Sequence, residues 1–231
     1  MGKLVDLNFK KISLREINNY LQNINYKNNK RNFVIKNPDG EHAVCAGLKE
    51  DISVNIKGHV GYYCGGMNQK ANITIDGNAG TGVGENMMSG SIHIKGNVSQ
   101  SAGATAHGGI IIIDGDASSR CGISMKGVSI IVKGSVGHMS AFMAQAGTLM
   151  VCGDAGDALG DSIYETVVYM AGKPKSLGVD CIEKKVTKND FKKIENLIKI
   201  GNIKKLKPSN FKKFGSARKL YNFNIDNVSN Y

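Results

Sequence analysis

Residues 77–90 read GNAGTGVGENMMSG. Glycines at 80, 82 and 84 invite a phosphate-loop reading, but their neighbours oppose it. A Walker loop places Lys and then Ser or Thr after its last glycine, to reach phosphate and Mg²⁺. Here Gly84 is followed by Glu85 and Asn86. A dinucleotide fingerprint opens a helix after a strand. Ile73 and Ile75 suggest the strand, but the following SGSIHIKGN reads as a second strand rather than a helix.

What the glycines do becomes clear from their recurrence. Glycine stands at 58, 77, 96, 115, 134, 153 and 172, a step of 19 residues without insertion. Self-similarity at a fixed period marks a repeat architecture. Four residues before each glycine stand Val54, Ile73, Ile92, Ile111, Ile130, Leu149 and Val168. Two before stand Ile56, Ile75, Ile94, Ile113, Val132, Val151 and Met170. This alternation of mostly β-branched residues predicts a short strand with one buried face. One residue after the glycine come His59, Asn78, Asn97, Asp116, Ser135 and Asp154, mostly turn formers. Seven after come Gly65, Gly84, Gly103, Gly122, Ala141 and Gly160. The glycines are expected at corners, where positive φ or close backbone approach excludes a Cβ. The fold class is therefore all-β: a right-handed parallel β-helix of 19-residue coils with flanking helices. A left-handed hexapeptide helix would repeat an aliphatic every sixth residue, and this chain does not.

Stacked coils turn sequence columns into ladders. Just before the glycines stand Lys57, Asp76, Lys95, Asp114 and Lys133, alternating in sign. Opposite charges on adjacent strands attract, so the column predicts an ion-pair ladder. Three residues before the glycines, side chains should point away from the core. That column runs Asn55, Thr74, His93, Ile112, Ile131, Met150, Tyr169, polar and then apolar. An apolar stripe on the outer face needs a cover.

The candidates are a flanking helix or a partner subunit. Three segments are expected: residues 1–32 with a helix, 33–181 as the β-helix with an imperfect first coil near 33–47, and 182–231 as a basic helix and extended tail. Ser13 and Glu16 have capping-box spacing ahead of Ile17, Leu21 and Ile24. Thr187 is a candidate cap for a helix with Phe191, Ile194, Leu197 and Ile198 on one face, stopped by Gly201. This second helix is expected to fold over the apolar stripe. Residues 182–231 hold 13 Lys and Arg against 4 Asp and Glu, so they carry most of the net charge of +11. A basic tail suits nucleic acid, an anionic membrane or an acidic partner subunit. Phe211, Phe214, Tyr221 and Phe223 form no recognisable stacking platform, which favours the acidic partner over nucleic acid.

No signal peptide and no 18-residue apolar run is present, and five unpaired cysteines fit a reducing cytoplasm. Cys64 and Cys121 share a column and read as core; Cys45, Cys152 and Cys181 make no C-x-x-C pair. His59, His93, His107 and His138 fall in four different columns. Met67, Met87, Met88, Met125, Met139 and Met143 suit core filling as well as a binding surface. The expectation is no catalytic, cofactor-binding or metal-ligating residue on this chain.

The repeated G-x-x-G-x-x-x-G, with GHVGYYCGGMNQKA, GDASSRCGISMKG, GSVGHMSAFMAQAG, SLGVDCIEK and GSARKLYNF, resembles a known family. It is similar to the C-terminal β-helix domain of the glutamate synthase large subunit. The resemblance is closer to the separate β-helix subunit of the three-subunit N-methylglutamate synthases (methylamine–glutamate N-methyltransferases). Coils three and four depart from the pattern, with Ser99 and Ser118 in place of glycine. The resemblance implies a scaffold beside an amidotransferase-like subunit and an FMN-binding subunit with iron–sulfur chemistry. The complex would convert methylamine and glutamate to N-methylglutamate and ammonia. Gly2 offers no Cys nucleophile at the N-terminus, and the chain is too short for a flavin barrel. The same part in a split glutamate synthase or a formylmethanofuran dehydrogenase, and a free-standing β-helix binding protein, stay open.

Overall fold

In the computed structural model, residues 5–24 and 32–218 are described. They include β1 (Val5–Asn8), α1 (Leu14–Gln22), β2 (Asn32–Lys36), β3 (Ser53–Lys57), β4 (Asn72–Ile75), β5 (Ser91–Ile94), β6 (Ile110–Ile113) and β7 (Lys126–Val132). There follow β8 (Ala146–Val151), β9 (Val167–Met170), β10 (Cys181–Lys184), α2 (Lys188–Ile200), a 3-10 turn (Pro208–Asn210) and β11 (Lys212–Ser216). The strands form one sheet in the order β1 to β9, then β11, then β10. From β1 to β9 every pairing is parallel, and from β3 to β9 residues 19 apart are partners, as Ile75 faces Ile94 and Ile94 faces Ile113, except that Lys126 faces Ala146 across a register shift. This is the expected parallel solenoid. A second parallel ladder links Val60, Ala79, Val98, Ala117, Val136 and Ala155.

A third ladder is made of turns. Five, seven and nine residues after each of the first six recurring glycines the backbone is left-handed; after Gly77 these are Gly82, Gly84 and Asn86, at φ 71°, 68° and 53°. Their N–H groups reach adjacent coils: Gly84 donates to the Cys64 carbonyl and Asn86 to the Ala104 carbonyl, both at 2.9 Å. The middle position faces the core. A Cβ on Gly84 would lie 2.8 Å from Ile111 Cδ1, so the glycine makes room for the isoleucine ladder. The outer positions carry ordinary side chains. Tyr63, Met67, Arg120 and Met139 hold φ between 54° and 58°. Left-handed backbone costs an L-residue about 1–2 kcal/mol, which the inter-coil hydrogen bonds offset. The 19-residue glycines have another reason for being glycine. Only Gly58 of the seven has positive φ. At Gly77 a Cβ would sit 2.7 Å from the Gly58 carbonyl carbon, so close approach is the cause.

The column after those glycines does more than turn the chain. Asn97 N–H donates to Asn78 Oδ1, Asp116 N–H to Asn97 Oδ1, Ser135 N–H to Asp116 Oδ1 and Asp154 N–H to Ser135 Oγ, at 2.7–3.0 Å. His59 begins the series, its Nδ1 accepting the Asn78 N–H at 2.9 Å. Each corner side chain thus satisfies a backbone donor of the next coil.

The charge ladder is present, with one substitution of partner. Asp76 is held by Lys57 and, at 2.7 Å, by Lys95. Asp114 is held by Lys133 at 2.8 Å and by His93 at 2.9 Å, so His93 takes the rung expected of Lys95. Burial raises the Asp76 and Asp114 carboxyls, but the Lys57, Lys95, Lys133 and His93 contacts outweigh it and leave both below the ordinary value. Their stabilisation is full above the unfolded carboxylate pKa of about 3.9 and fades as pH falls through the lower folded value. Asp114→Lys places three like charges in consecutive coils. We expect a loss of about 1 kcal/mol at low salt, shrinking in 1 M salt. An unchanged low-salt melting temperature would mean that the ladder contributes nothing.

The flanking segments pack on the solenoid. Ser13 caps α1 through a capping box with Glu16, and Ile17 and Leu21 are buried. Two side chains one turn apart bind the first coil's backbone: Asn18 Nδ2 donates to Ala43 O, Asn18 Oδ1 accepts Cys45 N–H, and Gln22 Nε2 donates to Ala46 O. The N-terminal segment is more than a helix, since β1 extends the sheet by pairing with β2.

On the sheet's outer face α2 covers the apolar stripe as expected. Ile131, Met150 and Tyr169 are buried against Ile194, Leu197 and Phe211, with Ile112 and Ile198 partly buried at the margin. Phe191, expected on the covering face, is 41% exposed. Asp190 takes its place inward, because Tyr169 and Lys213 offer it a hydroxyl and an ammonium. Gly201 ends the helix in a right-handed conformation, and Asn202 supplies the left-handed residue at φ 50°. Glycine suits position 201 by proximity: a Cβ would lie 3.2 Å from Ile131 Cγ2. Residues 212–216 are not tail. They form β11, antiparallel between β9 and β10, and bury Phe214. Gly2 and the expected extended tail at 219–231, with Tyr221 and Phe223, lie outside the described residues.

Candidate interaction face

The solenoid's titratable groups are mostly spent on structure. His59 accepts a backbone N–H, His42 Nδ1 accepts the Tyr62 N–H at 3.0 Å, and His93 faces Asp114. The five cysteines are free. Burial pushes the Cys64 and Cys121 thiols up to about 12 and, against nearby lysines, Cys152 and Cys181 up to about 11. Cys45 is raised as well, by burial and then by neighbouring Cys64. Such thiols are poor nucleophiles and poor ligands. Among the described residues, no three His, Cys, Asp or Glu side chains converge to hold a metal ion. Among them also, no helix is long and apolar enough to cross a membrane.

The apolar groups on the turn face have no such internal use. Tyr62, Tyr63, Met67, Met88 and Met143 are each 43–56% exposed. Met87 and Met125, by contrast, fill the core. The methionines therefore divide between core and surface, which their residue type could not reveal. Tyr62 stacks on His42 with centroids 4.5 Å apart and planes 9° from parallel, and meets Tyr63 edge-on at 6.5 Å. The glycines of the opening stretch seat these rings. A Cβ on Gly82 would lie 2.8 Å from Tyr63 Cδ1 and Cε1, and one on Gly80 would lie 3.0 Å from Tyr62 Cδ1. Gly80-Thr81-Gly82 is thus a shelf under two tyrosines from the preceding coil. Beyond His42 the platform runs into an open cleft between the α1 start and the β2–β3 link, with Lys10, Arg15, Asp39 and Glu41 at its walls.

Aromatic and methionine side chains on a rigid backbone suit partner recognition, because little entropy is lost when they are covered. The letters of the twin tyrosines and of the left-handed methionines do not distinguish surface from core. The usable signal is glycine one coil after a tyrosine pair, GYYCGG at 61–66 and GTGVGE at 80–85, with Gly82 19 residues after Tyr63.

A family model described as GXGXG motif matches residues 13–226. The chain is also similar to a curated relative, "Protein GlxC" of Rhizobium meliloti (strain 1021). The two are 59% identical over 218 residues, which is 94% of this chain and 96% of that protein.

Proposed function

The chain belongs to the GXGXG-motif family, and from that premise we propose that it is the scaffold subunit of a glutamate-synthase-like enzyme complex. The observation that carries this reading is the exposure of Tyr62, Tyr63, Met67, Met88 and Met143 on the segments that link the strands. A left-handed backbone fixes Tyr63, Met67 and Met143 at their positions. The chain's part is to hold two partners in register: an amidotransferase-like subunit and an FMN-binding subunit with an iron–sulfur cluster. The reaction we assign to the assembly transfers methylamine onto the glutamate skeleton, giving N-methylglutamate and ammonia. Flavin and cluster chemistry belongs to the partner, since the five thiols here are held protonated by burial and no three of them converge among the described residues.

Co-expression with the two partner subunits tests this. The three chains should co-elute, and the complex should form N-methylglutamate from methylamine and glutamate. Glutamate formation from glutamine instead would assign the scaffold to a split glutamate synthase. Migration of this chain alone would overturn the scaffold reading. Within the complex, Tyr63→Ala should weaken assembly by roughly tenfold or more if the platform is covered, the usual size of an aromatic contact-residue loss, while the free chain's melting point changes little.

A further inference from the structure

A second cleft, of about 320 Å³, opens where the link before β9 meets the β10–β11 pair. Its walls carry Lys184, Lys213 and Arg218 against one carboxylate, Glu165. Lys184 and Lys213 stand directly opposite each other in the register of β10 and β11. Like charges so placed repel. Lys213 is answered by Asp190 at 2.9 Å and Arg218 by Asp180 at 2.6 Å. Lys184 has no carboxylate at ion-pair distance among the described residues. The cleft therefore holds an ammonium without an ion pair, with Glu165 on the same wall beyond pairing distance.

Two hydroxyls are placed with it. Thr166 is 1% exposed, and its Oγ1 has no hydrogen-bond partner among the described residues. Ser216 is 3% exposed; its Oγ accepts the Arg218 N–H at 3.2 Å, which leaves its own proton to donate. A buried hydroxyl without a partner is unfavourable, and replacing it by a methyl of the same shape is neutral or stabilising. An unanswered hydroxyl beside an unanswered ammonium is the arrangement that an acceptor-rich anion completes.

We infer that this cleft binds a small oxyanion, a carboxylate or a phosphate. Lys184 provides the ammonium that has no ion pair. Arg218 adds a planar donor fork while retaining Asp180. Thr166 and Ser216 fix the oxygens from below. The site is remote in kind from the tyrosine platform and does not depend on the scaffold reading.

The test uses the full chain and two probes, inorganic phosphate and acetate, each against chloride at equal ionic strength. A ligand that binds only the folded state raises the melting temperature in a saturable way. We expect saturation with at least one of the two, and matching shifts of the Gly215 and Ser216 amide resonances. Lys184→Gln should weaken that binding about tenfold, whereas Lys204→Gln should leave it unchanged. Thr166→Val should give an equal or higher melting temperature without anion and a smaller rise with it. That pair of changes separates a ligand-facing hydroxyl from a merely structural one. Rises equal to those in chloride for both probes, or a Lys184→Gln variant that responds like the native chain, would overturn the assignment.

Discussion

Ile94→Asp should leave no soluble folded protein. Ile94 is fully buried in β5, with Ile75 and Ile113 above and below it, each also fully buried. Truncating the side chain forfeits its burial and opens a cavity, about 2–5 kcal/mol for an isoleucine. The new carboxylate then has no partner in that column, or must stay protonated at further cost. The combined loss is comparable to the whole stability of a typical domain, about 5–15 kcal/mol. A solenoid has no bypass, because each coil rests only on its neighbours. Ile94→Val is the companion variant: it keeps the column apolar and should cost only about 0.5–1.5 kcal/mol. Circular dichroism and thermal melting separate the two. A soluble Ile94→Asp protein with native β signal would show that the column does not face inward.

How the sequence carried this much follows from which residues have a choice. The inward strand columns and the seventh-position glycines are dictated by a narrow core: at Gly84, Gly103 and Gly65 a Cβ would collide with isoleucine Cδ1 atoms at 2.6–2.8 Å. Such positions admit few residue types, so a period shows in the letters. The outer left-handed positions are dictated only in backbone. Tyr63, Asn86, Ser101, Arg120 and Met139 share the conformation and no chemistry, so nothing in their letters betrays it. β1 was hidden by spacing, since its partner residues in β2 lie across α1: Val5 faces Phe33. β11 was hidden by composition, since Lys212 and Lys213 read as tail, yet each has a carboxylate waiting, Glu183 and Asp190. The interaction face was half legible. Its glycines stand out by their spacing, but the tyrosines they seat belong to the preceding coil, and only the fold turns the 19-residue offset into a contact.

Asp190→Ala should detach the helix that covers the sheet. Asp190 is the third residue of α2 and is 7% exposed. Its carboxylate accepts the Tyr169 hydroxyl at 2.6 Å, the Thr187 N–H and hydroxyl at 2.8 and 2.7 Å, and the Lys213 ammonium at 2.9 Å. One side chain thus joins helix cap, outer sheet column and last strand. Burial alone would raise its pKa, but the hydrogen bonds from Tyr169, Thr187 and Lys213 prevail and hold it well below the carboxylate range. Since the folded value is depressed, the stabilisation is complete above the unfolded pKa of about 3.9 and is lost only as pH falls through the folded value. Alanine leaves the buried Tyr169 hydroxyl and the partly buried Lys213 ammonium without their acceptor. Breaking such a pair on one side costs about 3–5 kcal/mol, or roughly 6–20 °C in melting temperature for a chain of this size. Local opening should come first, because α2 rests on Ile131, Met150 and Tyr169 rather than on the inner core. Amide exchange in residues 188–200 should therefore rise by two or more orders of magnitude, while the strands β4 to β6 keep their protection. Asp190→Asn should flatten the pH dependence of stability between about pH 4 and pH 2. The double variant Asp190→Asn with Lys213→Met should recover part of the loss, because it removes the stranded charge. If α2 exchanges at the native rate in Asp190→Ala, the carboxylate is not what fastens it, and apolar contact with the Ile131 column alone holds the helix in place.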